Sequence, residues 1–160
     1  MTENKPSLAE VAAILKLDPA HDTLRAEPED RGLTVWKRSF AGIPVLDDVK
    51  VVKQLGKWRT RFHVVDTAPE PVRHDALLSE AAAVAASGVK DGVAELRYAP
   101  VFVQHQVAGS PGDNAYDYDL RVQRFELIYR VTPADRPVPA ADIDAYSGKV
   151  LRSNTGIIVN

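Results

Sequence analysis

The chain contains no cysteine. That excludes disulfide cross-links, thiolate nucleophiles and cysteine-ligated zinc. It has no long hydrophobic run. The longest apolar stretch, Ala81 to Ala86, falls far short of the roughly 20 residues that span a bilayer, so no membrane partner is expected. It has no excess of either charge: 20 Lys+Arg stand against 22 Asp+Glu, a net charge of −2. The balance holds by halves, with 12 basic and 13 acidic residues in 1–80 and 8 and 9 in 81–160. Neither half is a polycation, which argues against an electrostatic nucleic-acid binder. The segment Met1 to Pro6 lacks the apolar core of a secretory signal. The expected location is therefore the cytoplasm, or outside the cell if a leader was removed before this numbering begins. What is present is ordinary globular composition, 45% hydrophobic and 26% charged over 160 residues, enough for one or two small domains. Eleven prolines and nine glycines predict short elements and many turns.

Ser7-Leu8-Ala9-Glu10 has the capping-box spacing, and Leu8, Val11, Ala12 and Leu15 fall on one helical face behind it. Asp18-Pro19 should end that helix. Extended segments follow at 33–40 and 45–52, the second carrying Asp47 and Asp48, with a turn at Gln54-Leu55-Gly56. Trp58, Thr60, Phe62 and Val64 then alternate with Lys57, Arg59, Arg61 and His63, the period of a half-buried strand. The proline-bearing stretch 66–71 is the best internal boundary. After it, Asp75 is a candidate cap for a second helix whose apolar stripe is Leu77, Leu78, Ala81, Val84 and Ala85, with Gly88 closing it. Two long strands come next, 94–107 and one alternating through Phe125, Leu127, Tyr129 and Val131, joined by a loop at 108–119. Tyr146-Ser147-Gly148 makes a tight turn between 142–145 and 149–151. Helix then antiparallel sheet, twice over, predicts an α+β fold.

The chemistry is mostly negative. His21, His63, His74 and His105 include no i, i+4 pair, and no H-E-x-x-H is present. There is no G-x-S-x-G elbow and no phosphate-cradling glycine loop. No catalytic residue, metal or cofactor is expected. Asp113, Asn114, Asp117 and Asp119 place oxygens in one loop, but without the EF-hand spacing; a solvated connection and a weak cation site both stay open. Lys50, Lys53, Lys57, Arg59 and Arg61 form a local basic cluster. It reads either as a solvated sheet face or as a docking face for an acidic partner.

Gly32 to Val45, with its Phe40-Ala41-Gly42-Ile43-Pro44-Val45 segment running on to Val52, resembles the fungalysin/thermolysin propeptide (FTP) motif. Leu77 to Ala86, Ala94 to Pro100, Glu126 to Val131 and Asp144-Ala145-Tyr146-Ser147-Gly148-Lys149-Val150-Leu151 resemble a PepSY domain, which ends in Asp-Ala-x-Thr-Gly-x-Val-Leu. Ser147 keeps the hydroxyl of the usual threonine, whereas Arg38-Ser39 replaces the Gln-Thr pair common before the Gly-Ile-Pro segment. The two motifs occur in the order of the prosegment of thermolysin-like zinc metalloproteases. The resemblance implies two small helix-on-antiparallel-sheet subdomains, cystatin-like or PepSY-like: an FTP-like one at 1–68 and a PepSY-like one at 69–160. The family's zinc-binding helix is not among these residues, so no catalytic residue carries over.

The first functional expectation follows from that resemblance: a protease inhibitor or folding assistant of a thermolysin-like metalloprotease, acting in trans. Its contacts would be Lys57, Arg59 and Arg61 on a sheet surface and Asn154, Thr155, Gly156, Ile157 and Ile158 lying extended in the partner's cleft. That tail also reads as simply a last sheet strand, which its β-branched content favours. The alternative is a non-catalytic protein- or peptide-interaction module of a larger assembly. Behind both stands an unrecognised enzyme, which would need a deep pocket lined by converging polar groups.

Overall fold

The computed structural model describes residues 6–30, 33–46, 49–60, 65, 67–106 and 118–154. They form an α+β fold with two short helices and two antiparallel sheets. The chain divides into two compact units, residues 1–69 with 100–125 and residues 70–99 with 126–160.

The first unit begins with α1 (Leu8–Leu15). Ser7 and Glu10 close the capping box in both directions, at 3.1 Å to the Glu10 N–H and 3.0 Å from the Ser7 N–H. Val11 and Leu15 are fully buried, while Leu8, expected on the same face, is 57% exposed. The helix stops at Lys16, in the left-handed region at φ 52°, before proline is reached. Asp18 then builds the turn: its carboxylate accepts the Ala20 N–H at 2.9 Å and pairs with His21 Nδ1 at 2.6 Å.

The first sheet follows: β1 (Asp22–Asp30), β2 (Leu33–Phe40), β3 (Ile43–Pro44), β4 (Val49–Gln54) and β5 (Lys57–Thr60). Its order is β1-β2-β4-β5, with β3 paired to β2. The strand β1 was not anticipated. The register pairs Thr34 with Val51 and Trp36 with Val49, so β2 and β4 present one buried face of Thr34, Trp36, Arg38, Phe40, Val49 and Val51. α1 packs against β5. Leu55 and Gly56, both at positive φ, make the expected turn between β4 and β5.

The second unit holds α2 (Glu80–Ser87) and most of the second sheet, whose two long strands each run on into residues of the first unit. The helix cap is Ser79, whose Oγ accepts the Ala82 N–H at 3.1 Å, and not Asp75. Leu77 and Leu78 precede the helix. Leu78 is pinned outside it: its N–H donates to the Ala145 carbonyl at 2.9 Å and its carbonyl accepts the Tyr129 hydroxyl at 2.6 Å. Ala83 is the fully buried helical residue.

The second sheet runs β6 (Gly92–Gln106), β7 (Tyr118–Pro133), β8 (Ala140–Asp144) and β9 (Val150–Asn154), in that spatial order. Leu127, Tyr129, Val131 and Ile143 bury its core face, and Ile128, of opposite parity, is buried as well. The β8–β9 turn is made by Asp144, whose carboxylate accepts the N–H groups of Tyr146 and Ser147 at 2.9 and 2.8 Å. Gly148 closes it at φ 78°, a conformation side chains resist. The loop expected at 108–119 lies outside the described residues except for its last two positions, which open β7.

Candidate functional site

The basic cluster read along the chain is rearranged by the sheet register. Lys50 pairs opposite Val35, Lys57 opposite Gln54 and Arg59 opposite Val52. Alternation therefore places Lys50, Lys57 and Arg59 on one face. Lys53 falls on the other, paired with Trp58, its ammonium 5.6 Å from the ring centroid. Two cations that the linear reading did not include join the first face: Arg25 and Lys37, directly paired between β1 and β2. Arg25 is ion-paired to Glu27 at 2.7 Å. Lys57 and Arg59 are exposed; Arg61 lies outside the described residues.

At the other candidate location, Asn154 ends β9 and pairs with Ala140. It is exposed, and β9 is the outermost strand of its sheet. Thr155, Gly156, Ile157 and Ile158 lie outside the described residues.

Beside β9 stands a constellation that the sequence did not reveal. Arg130 of β7, Asp142 of β8 and Arg152 of β9 form one cross-strand row. Asp142 accepts from Arg130 Nε at 2.9 Å, from Arg130 Nη2 at 3.0 Å and from Arg152 Nε at 3.0 Å. The carboxylate is 7% exposed, the two arginine side chains 43% and 51%. Burial pushes the Asp142 carboxyl up, but the hydrogen bonds and charges of Arg130 and Arg152 outweigh it and hold it below its ordinary value. The row lines a groove of about 670 Å³ walled by Pro137, Val138, Ala140 and Ala141 and edged by Ser153.

The first unit holds a second ion pair of a different kind. Arg38 and Asp22 are sealed from solvent, with Nε to Oδ1 at 2.7 Å and Nη2 to Oδ2 at 3.1 Å. Asp22 also accepts the Asp18 N–H at 2.7 Å, and Arg38 Nη1 reaches the Thr67 carbonyl at 3.3 Å. Closed on all sides, this pair is suited to hold β1 on β2.

No protein-family model, curated protein or solved structure matches the chain.

His21 stacks on Phe40 with ring centroids 5.3 Å apart. His74 is exposed, and His63 and the His105 side chain lie outside what is described. Among the described residues no group of three or more His, Asp or Glu is placed to hold a metal ion. No helix among them is long and apolar enough to cross a membrane.

Proposed function

We propose that this chain is a non-catalytic protein-binding module that acts as a protease prosegment does, inhibiting or assisting the folding of a thermolysin-like metalloprotease in trans. The observation that supports it best is the β9 edge. β9 is terminal in its sheet, no described strand pairs with its outer side, and four of its five residues are exposed. Backbone N–H and C=O groups on such an edge are ready to pair with an extended segment of another chain. The hairpin that presents this edge is the Asp144-to-Leu151 segment carrying the PepSY resemblance. A partner strand along β9 would draw its affinity from main-chain hydrogen bonds and its register from side chains on either face. The exposed Lys57 and Arg59 would speed encounter with an acidic surface.

The test is titration of the intact chain into a thermolysin-type protease acting on a peptide substrate. Saturable loss of proteolysis, with a complex isolable by gel filtration, is expected. Undiminished proteolysis at large excess and no complex would overturn the protease assignment. If the chain then pairs through β9 with a protein that is not a protease, it belongs to a larger assembly instead.

A further inference from the structure

We propose that the groove beside β8 and β9 is a carboxylate-binding site, in which Arg130 and Arg152, held by the buried Asp142, receive the anion and the apolar wall receives the body of the ligand. The site uses side chains on the sheet rather than the backbone of its edge, so it stands whether or not a partner strand adds to β9.

The argument starts from what Asp142 does to its neighbours. Arginine side chains on a surface normally sample many rotamers, and fixing one for a ligand costs entropy. Here that cost is met in the folded state. Asp142 grips Arg130 by two N–H groups and Arg152 by one, and all three residues sit on adjacent strands. Each guanidinium has five N–H donors. Among the described residues no hydrogen bond uses Arg130 Nη1 or Arg152 Nη1, and both side chains are about half exposed beside the groove.

Charge then selects the ligand class. Glu126 forms an ion pair with Arg152 Nη2 at 3.9 Å, so the two guanidiniums face two carboxylates and the cluster is close to neutral, which favours a monoanion over a phosphate dianion. The planar fork of arginine matches the two oxygens of a carboxylate. The groove volume, about 670 Å³, is that of a small-molecule site, and four of its lining residues are apolar. The ligand is therefore a carboxylate carrying a short apolar body. Both a polypeptide C-terminus ending in an aliphatic residue and a free small organic acid have that chemistry.

The experiment is an NMR titration of the intact, 15N-labelled chain with N-acetyl-leucine, its C-terminal amide, and a short peptide ending in leucine with a free carboxylate. N-acetyl-leucine is expected to shift the amides of Ala141, Asp142, Ser153 and Asn154 saturably. The amide, lacking the charge, should bind about tenfold or more weakly, as loss of a charge-assisted hydrogen bond predicts. Arg152→Gln, which can still donate to Asp142, should lose most of the preference for acid over amide while spectral dispersion is kept. Equal binding of acid and amide, shifts confined to other amides, or no saturable shift would overturn the site. That comparison uses the unaltered chain and so does not depend on the variant folding. Tighter binding of the peptide than of N-acetyl-leucine identifies a polypeptide terminus as the source. Equal binding identifies a free acid.

Discussion

Arg38 Nε donates to Asp22 Oδ1 at 2.7 Å, and the two side chains are 1% and 0% exposed. The guanidinium is satisfied locally: β1 supplies the carboxylate, the Thr67 carbonyl takes another N–H, and the guanidinium carbon lies 5.6 Å from the Phe125 ring centroid. Removing one partner of a buried pair leaves an uncompensated charge, which costs about 3–5 kcal/mol. Arg38→Met should lower unfolding stability by that order in urea titration. Asp22→Leu combined with Arg38→Met should recover most of the loss. An equal loss in the double variant would show that packing, and not the stranded carboxylate, is responsible.

Alkaline stability should depend on Tyr98. Its hydroxyl donates to the Glu70 carbonyl at 2.6 Å, and burial first, then Tyr146 and Glu70, push it up to about 12. A folded value above the unfolded one, about 10, means the stabilisation is complete below that pH and is lost as pH rises toward 12. Tyr129 is raised by burial in the same direction. Absorbance titration should show a late-ionising tyrosine component, and Tyr98→Phe should reduce it.

Acid stability should depend on Asp142 and Asp144. Burial raises both, but Arg130 and Arg152 at the first, and the Ser147 and Tyr146 N–H groups at the second, bring both below the ordinary 3.8. Their contribution is present above the unfolded value and is lost as pH falls through the depressed one. Urea midpoints should therefore drop between about pH 5 and pH 2, and Asp142→Asn should flatten that drop. An unchanged slope in the variant would remove Asp142 from the explanation.

Gly92 should resist even a methyl group. A Cβ there would meet Val131 Cγ1 at 2.7 Å and Val84 Cγ1 at 3.3 Å. Val131 is fully buried and stiff at χ1, so it cannot turn aside. Gly92→Ala should cost about 1–3 kcal/mol by overpacking, read as a lowered denaturation midpoint. Val131→Ala in the same chain should return part of it.

Local signals carried well from sequence to structure, and signals that need register did not. The Ser7–Glu10 box, the Leu55-Gly56 turn and the Gly148 turn each depend on residues within four positions of one another, and each formed. β1 escaped notice because its strand signal is weak. Thr23-Leu24-Arg25-Ala26-Glu27-Pro28 does alternate, but its apolar positions include alanine and proline, both depleted in strands, and the proline is tolerated because β1 lies on the edge. Ser79, which caps α2, has alanine three residues on, so only half of the capping box is present and its local signal is weak. What excludes Leu77 and Leu78 from the helix is a hydroxyl from Tyr129 and a carbonyl from Ala145, both far along the chain. The Arg130–Asp142–Arg152 row was illegible for the same reason. Spacings of 12 and 10 residues mean nothing until β7, β8 and β9 are aligned.

The way β6 and β7 are shared bears on how this protein can be taken apart. The backbone passes between the units at Pro69–Glu70, at Ala99–Pro100 and again at Phe125–Glu126. A gene split at the proline-bearing connection would sever one crossing and leave the other two. Residues 70–160 produced alone would carry an orphaned excursion, 100–125, whose companions in 1–69 had been left behind. Separating the units cleanly requires excising that excursion and bridging Ala99 to Glu126 with a new hairpin.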